Sequence, residues 1–178
     1  MPSPVKTIAI VQGADNAVIQ ELFRDFAARL GTAVRVAGLV EIAPAQGDRP
    51  RRASMLESLV DGRRYRLFQD LGSGSSSCGL DAGGVVEAGE AVSRDVAAGC
   101  DLVVLSKFGK LEAENRSGLV PAFAAAIEAG VPVLTSVSPK HADAWAAFAA
   151  PLFVTLAANA DEIDKWWRLA RQGSPAAA

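Results

Sequence analysis

At 178 residues and a formal net charge of -2, the chain is long enough for one domain with a substantial core and carries no global nucleic-acid signature. Half of its residues are hydrophobic, yet no apolar run approaches the roughly 20 residues that a membrane span needs. Cys78, Cys100 and the single histidine, His141, give neither a disulfide framework nor metal-ligand spacing, so the expectation is a cytoplasmic protein with reduced thiols and no bound metal or cofactor.

Residues 5–11 are almost uniformly apolar, as in a strand covered on both faces. The run is too short, and too directly followed by a helical pattern, to read as a signal peptide. Gln12, Gly13, Ala14, Asp15 and Asn16 turn the chain; Ile19, Leu22, Phe23, Phe26, Ala27 and Leu30 then recur at helical spacing. Asp15 or Asn16 supplies the helix cap and Gly31 the stop. Residues 33–43 read as a second strand and 44–52 as a polar loop with a cluster of arginines. Asp61-Gly62, between the apolar-bearing segments 55–60 and 64–68, is a strong hairpin signal. It places a β-ribbon between the first helix and the later part of the domain. Residues 71–84, with the run Gly72 to Gly79 of glycine, serine and one cysteine, show no periodicity and read as loop.

The spacing of Val85, Val92 and Val96 predicts a helix over 85–98, ended by Gly99, and Leu102 to Leu105 a short buried strand. A helix over 119–129 carries Pro121 in its opening turn, where a missing N–H costs least. A buried strand follows over 131–137, and Ser138-Pro139 then gives a cap and first helical position for 140–149. A short last strand over 151–156 and a last helix over 160–171 precede a frayed tail at 173–178. Strand and helix alternate at both ends, which predicts one three-layer α/β domain over 1–172. Its sheet is mainly parallel, with a β-hairpin insertion after the first helix.

Three strands end in polar segments: 12–16, 106–110 and 135–138. In a parallel sheet these ends share one edge, where ligands bind. Lys107 and Lys110, around Phe108-Gly109, put two ammonium groups there. The free N–H groups and dipole of the first helix add positive potential, and the glycine-serine loop offers further backbone donors and hydroxyls. The expected ligand is therefore a small anion. The candidate residues are Gly13, Asp15, Asn16, Ser75, Ser76, Ser77, Cys78, Lys107, Gly109 and Lys110. Against this stands a purely structural arrangement in which Glu112 or Glu114 pairs with solvated lysines. Cys100 reads as core and His141 as a surface residue without a catalytic triad around it. The adjacent Trp166 and Trp167 cannot both be expected to face one core, which leaves room for a protein partner or a second copy of the chain.

The plan of strand, turn, helix, hairpin and a later D-x-x-x-x-x-x-x-G-K-L-E segment at 101–112 is similar to the thermophilic-type nucleoside-triphosphatase family, which implies a phosphate-loop fold. The signatures of that family are missing. Counted from Gly13, the second glycine, lysine and hydroxyl of G-x-x-x-x-G-K-[ST] are replaced by Val18, Ile19 and Gln20. Ser106 and Lys107 occupy the positions of its acidic, magnesium-handling residues. A closer match is an uncharacterised bacterial family whose members are often labelled as associated with molybdenum transport. Its C-x-L-D element matches at 78–81, its D-L-V-V-x-x-K-F-G-K-x-E-A-E segment at 101–114 and its P-V-L-T-x-V strand at 132–137. That resemblance implies a link to molybdate. The expected function is oxyanion binding without catalysis. A divergent nucleotide hydrolase or phosphotransferase using Glu112 or Glu114 with magnesium is the alternative. A regulatory module using Arg49 to Arg52 and the last helix is a third reading.

Overall fold

The computed structural model of the chain describes residues 5–43, 54–69 and 79–174. In chain order these build β1 (Ile8–Gln12), α1 (Asn16–Leu30), β2 (Val36–Ile42), β3 (Met55–Ser58), β4 (Arg64–Arg66) and α2 (Ala82–Ala98). After them come β5 (Leu102–Val104), α3 (Lys110–Asn115), α4 (Val120–Glu128), β6 (Val133–Ser136), α5 (Ala142–Ala149), β7 (Phe153–Ala157) and α6 (Ala160–Ala170). The seven strands form one sheet in the order β4-β3-β2-β5-β6-β1-β7. Five of them, from β2 to β7 in that order, are parallel; β3 and β4 run antiparallel at one edge. Among the described residues no helix is long and apolar enough to cross a membrane.

Both faces of the parallel strands are covered, as their apolar sequences require. On one face, α2, α4 and α5 bring Val85, Val92, Phe123 and Trp145 against Ile8, Ile10, Val103 and Val133. On the other, α1 and α6 bring Phe23, Phe26, Ile163 and Trp167 against Ala9, Val11, Val104 and Leu134. The result is the expected three-layer α/β arrangement. Asp61-Gly62 turns the predicted hairpin, with Leu56 opposite Tyr65 and Glu57 opposite Arg64. It follows β2 rather than α1. It is also less an insertion than the sheet's own margin, since Leu39 to Ile42 of β2 pair with Met55 to Ser58.

Several local expectations need correcting. Asp15 stands at the N-cap of α1 but its side chain accepts no capping bond; Asn16 is already helical. α2 begins at Ala82, inside the stretch read as loop, because the Asp81 carboxylate accepts from the Gly84 N–H at 2.9 Å. Residues 110–115, to which the sequence pattern assigns no element, form the short helix α3. Ser138-Pro139 opens a 3₁₀ turn, Pro139–His141, and the α-helix starts only at Ala142. His141 is buried, at 9% exposure. Both tryptophans of α6 are buried too: Trp167 meets Phe26 edge-on at 6.5 Å, and the Trp166 indole N–H donates to the Lys6 carbonyl at 2.9 Å. Neighbouring helix positions can both be sheltered here because α6 lies in the angle between α1 and the start of β1. The tail beyond Ser174 and the arginine loop at 49–52 lie outside the described residues.

Candidate functional site

From β1 the chain leaves through α1, in one outer layer, toward β2; from β6 it leaves through α5, in the opposite layer, toward β7. β1 and β6 are neighbours, so connections depart in opposite directions between them. That is a topological switch point, where α/β sheets hold ligands. A cleft of about 620 Å³ opens there, lined by residues 13–16, 107–110 and 136–141, with Phe68 and Leu80 at its margin. This volume suits a small-molecule site.

The walls are built from backbone pairing upward. β1 ends at Gln12, whose side-chain amide donates to the Val137 carbonyl at 2.7 Å and so ties two strand ends together. Only Gly13, Ala14 and Asp15 separate β1 from α1, and Gly13 takes the left-handed φ of 93° that this sharp turn needs. No side chain caps α1, which leaves first-turn N–H groups without a side-chain acceptor where residues 13–16 line the cleft. Beyond β5 the Phe108 N–H donates to the Ser136 carbonyl at 2.9 Å, holding the lysine segment against β6. Phe108 itself is 2% exposed and packs edge-on against Trp145 and Phe123, the Trp145 centroid being 5.1 Å away. Anchored by that ring, the flanking Lys107 and Lys110 turn toward the cleft.

Lys107 is not a free cation. Its Nζ lies 3.1 Å from Glu41 Oε2, which also accepts from the Asn16 amide at 3.0 Å. Behind this pair sits Gln20, 3% exposed. It accepts from the Glu41 N–H at 2.9 Å and donates to the Ser106 carbonyl at 2.9 Å and to Asn16 Oδ1 at 3.3 Å. One glutamine thus joins α1, β2 and the end of β5. Glu112 does not pair with the lysines. It is 5% exposed, and its two oxygens accept from the Gly109 N–H at 2.9 Å and the Leu119 N–H at 3.0 Å. Among the described residues, Lys110, Lys140 and Glu114 form no ion pair, and Lys110 and Lys140 are exposed at the cleft.

The structure therefore brings Gly13, Asp15, Asn16, Lys107, Gly109 and Lys110 to one cleft. Ser75, Ser76, Ser77 and Cys78 lie outside the described residues, although Leu80, which follows them, borders the cleft and bridges to Phe68. Sequence reasoning missed Lys140 and His141, which line it, and Glu41 and Gln20, which brace it. Lys140 was within reach: it follows a recognised strand end by a few residues, but the proline helix signal drew it into a helix. Nothing local marks Glu41. Among the described residues no three histidine, cysteine, aspartate or glutamate side chains gather as a metal site. Asp101 and Cys100, whose titration is shifted, lie at the opposite end of the strands, before β5. Hydrogen bonds from Arg35 hold the Asp101 carboxyl below its usual range, and burial pushes the Cys100 thiol up to about 11.

A protein-family model matches residues 8–166 of this arrangement. The chain belongs to the DUF2478 family. The family is described as "Protein of unknown function", so membership fixes kinship without an activity. The chain is also 38% identical over 151 residues to a protein of Bradyrhizobium diazoefficiens named "Molybdenum import ATP-binding protein ModC 2". That match takes in 84% of this chain but only 17% of the relative's length. The part of the relative that is shared is thus a small one, and its whole-protein activity does not transfer with the alignment.

Proposed function

We propose that this chain binds a small oxyanion, molybdate or a phosphate-bearing ligand, in the cleft between the ends of β1, β5 and β6, and serves molybdenum metabolism without catalysing turnover. The observation that carries the reading is the convergence of Lys107, Lys110 and Lys140 on the uncapped first turn of α1. Ammonium groups and free helix N–H groups stabilise the same ligand charge. The name of the Bradyrhizobium relative supports the molybdenum link. A cytoplasmic location goes with this reading, in keeping with a cysteine content that builds no disulfide framework.

Hydrolysis by the phosphate-loop mechanism is disfavoured. A turn of three residues has too few backbone N–H groups to wrap two phosphates, and no lysine or hydroxyl stands at its end. Glu112, the acid nearest the lysines in sequence, has both oxygens engaged by backbone. A regulatory surface on the α6 tryptophans is disfavoured as well, since both are buried. One observation favours a larger phosphate-bearing ligand over a bare oxyanion: about 620 Å³ is far more than a tetrahedral oxyanion fills.

Isothermal titration with molybdate, tungstate, sulfate, phosphate and nucleotides tests the proposal. At least one should bind, and Lys110→Ala combined with Lys140→Ala should weaken it by about 10- to 100-fold, the loss of one or two charge-assisted contacts. No binding to any of them, or equal affinity in the double variant, overturns the reading. A nucleotide binding far more tightly than phosphate would select the phosphate-bearing ligand.

A further inference from the structure

Glu41, at the end of β2, places one carboxylate oxygen within 3.0 Å of the Asn16 amide and 3.1 Å of the Lys107 ammonium. Lys107 is one of the groups to which the proposed function assigns an anion, and Asn16 begins the α1 turn on the same cleft. A carboxylate oxygen held by a lysine and an amide occupies the same chemistry as an oxyanion oxygen, but tethered to the protein. The tether is short and fixed: the Glu41 N–H donates to Gln20, and buried Gln20 is bonded in turn to the Ser106 carbonyl. The Glu41 side chain is 12% exposed and that of Lys107 37%, so the carboxylate is sheltered while the ammonium stays open to solvent and to a ligand.

We infer that Glu41 is a built-in competitor at the anion site, whose carboxylate holds Lys107 and Asn16 until a more highly charged anion displaces it. The inference rests on the oxyanion reading and adds a ligand class to it. Displacing the carboxylate costs the same for every ligand, whereas attraction to Lys107, Lys110 and Lys140 grows with the ligand's charge. The cleft therefore selects doubly charged tetrahedral groups, such as molybdate, sulfate or the phosphate of a monoester. Singly charged anions such as nitrate and perchlorate lose to the internal carboxylate. Asp15, on the same wall, repels in proportion to the same charge, one carboxylate against three ammonium groups.

The test titrates wild type and Glu41→Gln with molybdate, sulfate, a phosphate monoester, nitrate and perchlorate at constant ionic strength, with circular dichroism as the check on folding. Wild type should bind the doubly charged ligands alone. Glu41→Gln should bind them about tenfold more tightly, as one charge-assisted bond no longer has to be broken, and should acquire affinity for nitrate or perchlorate. Glu41→Ala, which leaves no side-chain acceptor, should shift affinity in the same direction. If wild type binds and both variants bind equally or more weakly, Glu41 positions Lys107 for the ligand and the competitor role is wrong, while the oxyanion reading stands. If neither wild type nor the variants bind any of the five, the oxyanion reading itself falls and takes this inference with it. A monoester preferred over sulfate in every protein identifies the ligand as a larger, phosphate-bearing molecule.

Discussion

Removing the Glu112 side chain would leave the buried Leu119 N–H and the half-buried Gly109 N–H without their acceptor. A hydrogen bond to a charged group contributes about 1.5–3 kcal/mol, so Glu112→Ala should lower unfolding free energy by about 2–4 kcal/mol in urea titrations. The same variant should leave any magnesium-dependent phosphate release unchanged at background, since this carboxylate braces the lysine segment and does not line the cleft. Cys100 gives a second residue-scale expectation, in pH. Its thiol is raised from 9.0 to about 11 by burial, so the unfolded chain ionises first and binds fewer protons between those values. Stability gained from this group is complete below pH 9 and is lost as pH rises toward 11, by at most ~2–3 kcal/mol. Urea midpoints measured across that window should fall, and should fall less in Cys100→Ala. Single residues were partly legible from the sequence. Lys107 and Lys110 stood out because two charges directly after a buried strand are conspicuous. Glu41 did not, because its bond to Lys107 spans 66 positions and no local pattern announces it.

Elements were easier to read than their ends. The long strands and α1, α2, α4 and α6 follow from apolar periodicity, and the hairpin from Asp61-Gly62. α3 was missed because six residues make fewer than two turns, too few for a period to show. It is held by tertiary contacts: the Glu112 bracket and the tight turn at Gly118, where a Cβ would lie 2.5 Å from Glu112 Oε1. At Gly38, within β2, the restriction is stronger. Its φ is +128°, and a Cβ would lie 1.8 Å from the Val104 carbonyl oxygen, the partner it faces in β5. Gly38→Ala should therefore force β2 and β5 apart and cost about 4 kcal/mol or more, in the range reserved for severe core disruptions. Thermal unfolding should show it as a collapse of the transition rather than a small shift. The Asp101 carboxylate, at the start of β5, joins the same two strands through the Arg35 N–H at 2.8 Å and its guanidinium at 3.0 Å. Its depressed pKa means that this contribution is present above the ordinary carboxyl value and disappears as pH falls below it.

For the molecule as a whole, the sequence implied layers and a parallel sheet but not the strand order. Apolar strands of similar composition can be permuted, and only crossovers that pack decide which are neighbours. Once β1 lies beside β6, three distant polar segments meet, so the site is a product of topology more than of any motif. The same topology orders stability. β1, β5 and β6 are flanked on both sides by strands and covered on both faces, whereas β4 is a three-residue margin with Arg64 and Arg66 exposed. Hydrogen exchange should be slowest for Ile10, Val104 and Leu134 and fastest for β4 and α3; protection of β4 equal to that of β1 would contradict this ranking. The edge-on contact between Phe108 and Trp145 has a use beyond packing. Phe108 is joined covalently to Lys107, and the indole 5.1 Å from its ring is fully buried. The Trp145 chromophore is therefore wired to the lysine segment, while Trp166 and Trp167 sit in the opposite layer. With those two replaced by phenylalanine, the emission of Trp145 should change when the proposed anion enters the cleft, an optical readout that needs no label; emission unmoved by a ligand that calorimetry shows to bind would contradict this coupling.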